Sequence, residues 1–345
     1  MLDSSGTEAP AHMGAESRPQ WPWLATAAMA VAVGITYYLL ARVSLNLLMT
    51  PRGMAAYWPA AGVATGALLA LGPAARAPIA VAVTIASFLS GLSSYPGRPV
   101  AVTAIFALCN AGEPLLIAWL AERPHRSAGF DLDSVPRVLR FLFATGLAAA
   151  ASALVATSGY FIILHNPQVS FPTFWLYWLI SEAVGVLVIA PLVIGIARST
   201  HNPPRVSELA EGTCILVVLA LMSVLAFIGS TDHWYTILPL AMVLPLLLWP
   251  AARCPPVFAA AAIFVLAVVI IISAILGIGH LGEADLPLGQ RLLAAQTALV
   301  TVSSCTLVMA ALFAERRSRD ALLSSSIARL RTQKDAFRRL LGSLP

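Results

Sequence analysis

Two acidic residues lie inside long apolar stretches, and these are the residues best placed to do chemistry. Glu113 lies in the apolar stretch 99–121 beside Asn110, and Glu182 lies in the stretch 171–197 beside Ser181. A charged group inside a bilayer is costly, so each marks a functional hypothesis. The hypothesis is a polar pocket between helices that binds a small ligand or a proton. The alternative is that these groups pair with other polar residues and hold the helices together.

Further polar side chains lie in or at the outer half of the first and last apolar stretches: Arg42, Asn46, Arg291 and Gln296. Three histidines and three acids lie in predicted external connections: His165, His233, His280, Asp232, Glu283 and Asp285. Histidine and carboxylate on one side of a membrane are typical of a metal or pH-sensing site. Nothing in the sequence sets their mutual distances, so we favour ordinary solvated loops and predict no metal site.

No motif of an enzyme is present. The chain lacks a phosphate-binding G-x-x-x-x-G-K-[ST] loop, an H-E-x-x-H pair and a glycine-rich dinucleotide loop. The four cysteines, at positions 109, 214, 254 and 305, form no C-x-x-C pair and indicate neither zinc nor a disulfide framework. We therefore predict no catalytic residues and no cofactor.

The composition requires a bilayer around these residues. Of 345 residues, 59% are hydrophobic and only 11% are charged, whereas a soluble domain carries about 25% charged residues. We predict an all-α fold, a polytopic transmembrane helix bundle of about eight to ten spans. The apolar segments are 24–48, 54–72, 77–95, 99–121, 137–164, 171–197, 212–230, 235–251, 255–278 and 290–314. Several are short, and eight full spans is the alternative count.

The arginines of the connections indicate the orientation. Nine lie on one side before the tail, at positions 18, 76, 123, 126, 137, 140, 198, 205 and 253, and four on the other, at 42, 52, 98 and 291. The positive-inside rule places both termini in the cytoplasm, as expected of a multi-pass protein of the bacterial inner (plasma) membrane. The net charge of +5 follows from these loops and the tail, so we predict no nucleic-acid partner. Residues 1–22 are polar and are predicted to be a disordered cytoplasmic N-terminus.

Residues 315–341 differ from the rest of the chain. Leu323, Ile327, Leu330, Lys334, Phe337 and Leu341 recur at spacings of 4, 3, 4, 3 and 4. This is the a/d pattern of a coiled coil, so we predict a cytoplasmic signalling helix that makes a homodimer. The alternative is a basic amphipathic helix lying on the membrane surface. No proline or glycine interrupts 290–341, so the last span is expected to continue directly into this helix.

Four segments, in order, resemble one family. They are 57–64 with its Trp58-Pro59 and Gly62, Asn110–Glu113, 175–191 with Glu182 and Gly185, and Gln296 followed by Ala314–Arg317. Together they resemble the first type of membrane-associated sensor domain, MASE, over roughly 25–317. Such domains lie at the N-terminus of bacterial histidine kinases and diguanylate cyclases. Glu182 replaces an expected aspartate and Pro114 follows the second segment, which leaves the local polar contacts open.

The resemblance implies roles for particular residues. Candidates for ligand binding or signal sensing are Trp58, Asn110, Glu113, Glu182 and Gln296, with Pro59, Gly62 and Gly185 in structural roles. The small-residue pattern of Gly62 and Gly66 adds a close-packing signal between helices in lipid, which is weak on its own. The family implies a role and names no ligand. A small ligand or a partner membrane protein would supply the stimulus.

These inferences define a domain order and a leading function. Residues 1–22 precede a sensor domain at 23–314 and a coiled coil at 315–341, and 342–345 resemble the start of a following domain. We expect a sensory module of a signal-transduction protein, with a histidine kinase favoured over a diguanylate cyclase as its output. A small-molecule transporter or carrier is the main alternative, although we find no internal repeat with paired broken helices. A membrane scaffold that only binds partners is a third.

Overall fold

The computed structural model describes residues 22–47, 55, 57–123, 130–164, 169–228, 237–278 and 287–342. These residues form ten α-helices and one short 3-10 helix, Pro73–Ala75, and contain no strand, which confirms the all-α prediction. Of the predicted disordered N-terminus 1–22, residues 1–21 lie outside the described ranges, and Pro22 begins the first helix. The loop histidines 165, 233 and 280 with their acids, and residues 343–345, also lie outside the described ranges.

The helices follow the apolar segments closely. Their bounds are α1 Pro22–Leu47, α2 Pro59–Leu71, α3 Arg76–Ser94, α4 Val100–Ala121, α5 Val135–Ile163, α6 Phe171–His201, α7 Val206–Ile228, α8 Ile237–Arg253, α9 Pro256–Leu276 and α10 Leu288–Gly342. Prolines begin α1, α2 and α9, where a missing backbone N–H costs nothing because the first turn leaves it unpaired.

Eight of the described helices are long and apolar enough to cross a membrane. The two others are shorter: α2 has 13 residues and α8 has 17. At 1.5 Å per residue α2 is about 20 Å long, less than the roughly 30 Å of a hydrocarbon core. The chain is a multi-pass membrane protein. Its helix count agrees with the predicted eight to ten spans, and α2 and α8 account for the difference between the two counts.

Charged pairs collect at one end of the bundle, which we call the ion-paired end. Arg76, at the start of α3, bonds to Glu122, just after α4. Arg198, near the end of α6, lies 2.7 Å from Asp131, which precedes α5. Arg253, at the end of α8, lies 2.7 Å from Glu211 in the second turn of α7. Successive helices therefore run in alternating directions through the bundle.

At the opposite end, Arg42 forms hydrogen bonds to uncharged groups. The Arg42 guanidinium, near the end of α1, donates to the hydroxyls of Ser93 at 2.8 Å and Ser94 at 2.9 Å, at the end of α3. Asn46 donates to the Arg42 carbonyl at 2.8 Å. The ends of α1 and α3 thus lie side by side, and the two helices run parallel.

The closest helix contact joins α2 to α6. A Cβ built on Gly62 would lie 2.2 Å from the Gly185 carbonyl oxygen, and one on Gly66 would lie 2.6 Å from the Val193 Cβ. A Cβ on Gly185 would lie 2.0 Å from the Trp58 carbonyl oxygen. Only hydrogen fits at these points, so the glycines let the two backbones touch.

Helix α10 extends well beyond the bundle. Its 55 residues make a rod about 80 Å long, and its first half packs against α5, α6, α8 and α9. At the ion-paired end the Arg317 guanidinium donates to the carbonyls of Ala252 at 2.5 Å and Cys254 at 3.3 Å. Beyond Arg317 the described side chains that continue α10 are exposed, including Leu323, Ile327 and Leu330.

Replacement of Gly185 by alanine should destabilise the bundle, because the new Cβ overlaps the Trp58 carbonyl. We expect a loss of about 1–3 kcal/mol or more, the usual cost of overpacking, measured as thermal or denaturant unfolding in detergent. The matched control is Gly146→Ala in α5, where nothing lies within 4 Å of the new Cβ. Equal stability of the two variants would contradict the close contact.

Candidate functional site

A cavity of about 80 Å³ lies among the helices of the first half of the bundle. By the volume that one buried water needs, it holds several waters or one small molecule. The cavity extends from the level of Glu182 to the end of the bundle that lies opposite the ion-paired end, near Arg98. Its lining residues come from α1, α3, α4 and α6 and from the segments before α2 and α4: Leu45, Ala55, Trp58, Ser87, Ser90, Gly91, Arg98, Thr103, Phe106, Asn110, Phe174, Tyr177, Trp178, Ser181 and Glu182.

Helical periodicity brings these residues to one place. Thr103, Phe106 and Asn110 follow one face of α4 at spacings of 3 and 4. On α6 the facing residues run from Phe174 through Trp178 to Glu182 at spacings of 4. Such spacings keep side chains on a single helix face. Asn110 and Glu182 are ten and eleven residues into parallel helices, so both lie about 15 Å from the helix starts.

Two buried hydrogen bonds form the inner end of the cavity. The Trp58 indole Nε1 donates to the Tyr37 hydroxyl of α1 at 3.0 Å. The Asn110 Nδ2 donates to the Ser87 hydroxyl of α3 at 2.8 Å. Tyr37 is itself fully buried. These two bonds tie α2 to α1 and α4 to α3, so the cavity depends on four helices meeting at one level.

Several polar atoms of the cavity wall have no hydrogen-bond partner among the described residues. They are the Asn110 Oδ1, the Ser181 Oγ and the Thr103 Oγ1. Buried polar groups are almost always satisfied by protein, water or ligand. The wall therefore offers both donors and acceptors to a polar molecule inside it.

The two carboxylates lie on neighbouring helices near this level. Glu182 is 4% exposed and lines the cavity. Glu113, 2% exposed, lies one turn beyond Asn110 at a shallow groove between α4 and α5, together with Ser152. The two groups are close enough to interact electrostatically. Neither forms an ion pair within the described residues, and the Glu113 oxygens have no hydrogen-bond partner there.

Arg98 is the one cationic side chain among the described residues that line the cavity. Its guanidinium carbon lies 4.0 Å from the centroid of the Tyr95 ring and 5.2 Å from that of Phe106. It lies in the connection between α3 and α4 and makes no ion pair with a described residue. Burial lowers the pKa of Arg98, as expected for a cation away from water without a counter-ion.

Aromatic rings complete the wall between Arg98 and Glu182. The Phe106 and Trp178 rings meet edge to face with centroids 4.7 Å apart, and Phe174 stacks against Tyr160 at 4.6 Å. Sequence reasoning missed Arg98, Phe106 and Phe174 as site residues. The available signal was the helical spacing of Phe106 with Asn110 and of Phe174 with Glu182, which aromatic residues in an apolar helix also show for packing alone.

The structure brings together three of the five candidate sensing residues. Trp58, Asn110 and Glu182 all line the cavity, and Glu113 lies just behind it. Gln296 is buried in α10 and does not line the cavity. Asn110 donates a hydrogen bond to Ser87, as expected under the alternative in which polar groups pair with each other and hold the helices together. The two carboxylates make no such pair with Arg42, which bonds to serine hydroxyls, or with Arg291, whose guanidinium lies beside Gly277.

Within the described ranges, no group of three His, Cys, Asp or Glu side chains is arranged to hold a metal. The histidines considered for such a site, at 165, 233 and 280, are outside those ranges.

The fold and the cavity define the class of protein: a polytopic α-helical membrane protein with a polar cavity between its spans. The model of one family, MASE1, matches residues 29–317. The chain therefore belongs to the MASE1 family of membrane sensory domains, which confirms the resemblance found in the sequence. No curated protein and no solved structure matches the chain significantly. A sensory family also agrees with the prediction that this region is not an enzyme.

The hydrogen bond between Trp58 and Tyr37 can be measured with a double-mutant cycle. Trp58→Phe and Tyr37→Phe should each reduce stability, and the double variant should lose less than the sum of the two. The expected coupling is about 0.6 kcal/mol, typical of hydrogen bonds between helices in lipid. The free energy of unfolding in detergent or bilayer is the measurement. Strict additivity would mean that the bond contributes nothing.

Proposed function

We propose that this chain is the sensory module of a bacterial signal-transduction protein in the inner membrane, with both termini in the cytoplasm. The observation that carries the proposal is the position of α6. This helix holds Glu182 in the cavity wall and also packs against α10, the helix that leaves the bundle. A structural change at the cavity can therefore reach α10 through a single helix, α6.

The path from the cavity to α10 is short. Glu182 lies in the first half of α6, and Pro191, Ile194 and Arg198 lie in its second half. Those three residues border a small cavity of about 30 Å³ at the ion-paired end, which Leu307 and Ala310 of α10 also line. Free space at this contact lets α6 and α10 shift against each other without overlap.

The ion-paired end is also where α10 is held before it leaves the bundle. Arg317 bonds to two carbonyls at the corner between α8 and α9. This corner would act as the pivot of α10, so a small shift of the helix inside the bundle becomes a displacement of the tail. To change a two-state bundle from 1:99 to 99:1, a stimulus must favour one state by about 5.5 kcal/mol. A few desolvated polar contacts at Glu182 and Asn110 are of that order.

The exposed apolar residues of the tail support a dimer. Leu323, Ile327 and Leu330 are at least half exposed in the single chain and lie at successive a/d positions. A second copy would cover them in a parallel coiled coil, with Phe337 and Leu341 extending the seam. The output domain would be a histidine kinase, or a diguanylate cyclase as the second choice, joined after the coiled coil.

A transporter or carrier is the alternative class. It would need access to the cavity from both ends of the bundle in turn. The cavity described above is lined only from the level of Glu182 to the opposite end, and the charged pairs of the ion-paired end lie outside it. This arrangement favours sensing from one side.

Replacement of either buried carboxylate, Glu182 in the cavity wall or Glu113 just behind it, should change signalling. Glu182→Gln and Glu113→Gln keep the shape of the side chain, so insertion and abundance are expected to stay normal while output changes several-fold. Output is measured as phosphorylation or cyclic-di-GMP synthesis by a kinase or cyclase domain joined in frame after Pro345. The matched control is Glu122→Gln, a buried carboxylate that lines neither the cavity nor the contact between α6 and α10, which should leave output unchanged. Wild-type output from both variants at normal abundance would reject the sensory site.

Cysteine crosslinking tests the dimer seam. In a chain whose four cysteines are replaced, Leu323→Cys, Leu330→Cys and Phe337→Cys should each give disulfide-linked dimers in membranes. Ser325→Cys and Thr332→Cys lie on the other face and serve as controls. Crosslinking of the control positions alone would show that the seam is wrong, and the absence of any dimer would favour a surface-bound amphipathic helix.

A further inference from the structure

The cavity has a basic side chain at one end and an acidic side chain at the other. Arg98 lies at the end that faces out of the bundle, and Glu182 lies at the inner end. These are the only described charged side chains that line it. Neither forms an ion pair with a described residue. A basic and an acidic side chain that face one cavity, without an ion-pair partner among the described residues, are complementary to a molecule that bears both an acidic group and an ammonium group.

The separation of the two ends sets the size of such a molecule. The Arg98 guanidinium carbon lies 5.2 Å from the Phe106 ring centroid. Phe106 is one helical turn, about 6 Å, from Asn110, which lies at the depth of Glu182. The two charges are thus on the order of 10 Å apart. Each charged group of the molecule would lie about 3 Å from its partner. Its own two groups would therefore be roughly 4 Å apart, a span of one or two methylene groups.

The wall between the charges suits the remainder of that molecule. Phe106, Phe174 and Trp178 supply apolar surface and ring faces, and ring faces attract an ammonium group. At the inner end, the unpartnered Asn110 Oδ1 and Ser181 Oγ lie beside Glu182 and can accept hydrogen bonds from an ammonium. At the outer end the guanidinium can bind a carboxylate or phosphate with two parallel hydrogen bonds.

We propose that the cavity binds a small, short zwitterion, with its acidic group on Arg98 and its ammonium group on Glu182, Asn110 and Ser181. This inference rests on the proposed function, in which the same cavity is the sensory site, and it adds the chemical class of the ligand. Two kinds of molecule carry both an ammonium and an acidic group of this kind. One is a soluble ω-amino acid, and the other is the head group of phosphatidylethanolamine.

The test uses the full chain in nanodiscs of phosphatidylglycerol and measures binding by calorimetry. The probes are β-alanine, 5-aminovalerate and 6-aminohexanoate, with propionate and ethylamine as singly charged controls. Affinity should be highest for β-alanine and should fall along the zwitterion series, because the longer chains exceed the separation of the two side chains. Each control should bind at least tenfold more weakly than β-alanine. Arg98→Gln and Glu182→Gln should each lower the affinity at least tenfold. Arg98→Lys and Glu182→Asp keep the charge and should retain measurable binding, which separates loss of recognition from loss of folding.

A second arm identifies the source of the zwitterion. Nanodiscs with phosphatidylethanolamine should raise the unfolding temperature relative to phosphatidylglycerol alone if the lipid head group occupies the cavity. Loss of this increase in both Arg98→Gln and Glu182→Gln, but not in Glu211→Gln, would support the head group. The proposal is overturned if propionate or ethylamine binds as tightly as β-alanine. It is also overturned if neither soluble zwitterions nor the lipid act through both residues.

Failure of the ligand class differs from failure of the sensory role. An output that changes in Glu182→Gln, without any zwitterion effect, rejects the ligand class and leaves the sensory site. Zwitterion binding that requires both charges, with an output indifferent to Glu182→Gln, supports the ligand and rejects the sensory role.

Discussion

Backbone contact between α2 and α6 is the constraint on which the cavity depends. Gly62 and Gly185 leave room for the Trp58 carbonyl to rest against α6, so the short helix α2 begins in the middle of the bundle. Its Trp58 indole then meets Tyr37 of α1. A bulkier residue at either glycine would push α2 away, separate that hydrogen bond and open the inner end of the cavity. A backbone contact without side chains thus holds a polar site inside an apolar bundle.

The distribution of charged side chains follows from the absence of water inside an apolar bundle. Ion pairs gather at one end, where Arg76, Arg198 and Arg253 each meet an acid. The pairs of Arg198 and Arg253 are partly exposed, so solvent screens them and they cost little. The carboxylates of Glu113 and Glu182 lie inside the bundle instead, without such partners among the described residues. Groups that are costly to bury and left unpaired are unsuited to a purely structural role. This contrast is the physical basis for assigning the cavity, and not the charged end, to recognition.

Helix α6 connects the two regions. Its first half contributes Trp178 and Glu182 to the cavity, and its second half reaches α10 and the Arg198 pair. The tail that α10 carries out of the bundle presents an apolar stripe that one chain leaves exposed. In the proposed sensor, ligand, bundle and dimer would therefore share a continuous run of packed helices, and a zwitterion bridging Arg98 and Glu182 would draw the loop before α4 toward α6.

Composition and periodicity alone determined the membrane class, the helical fold and the positions of the spans within a few residues, and they singled out the two glutamates with Asn110 as candidates. These follow from local physics, because lipid demands apolar helices and makes each buried acid conspicuous. The family resemblance added Trp58. The tertiary structure decided which of them meet. It placed Trp58, Asn110 and Glu182 on one cavity, left Gln296 outside it, and added Arg98 and its aromatic neighbours. Those pairings depend on helix contacts between residues far apart in the chain, such as Gly62 with Gly185, and no single helix encodes which neighbour it will touch.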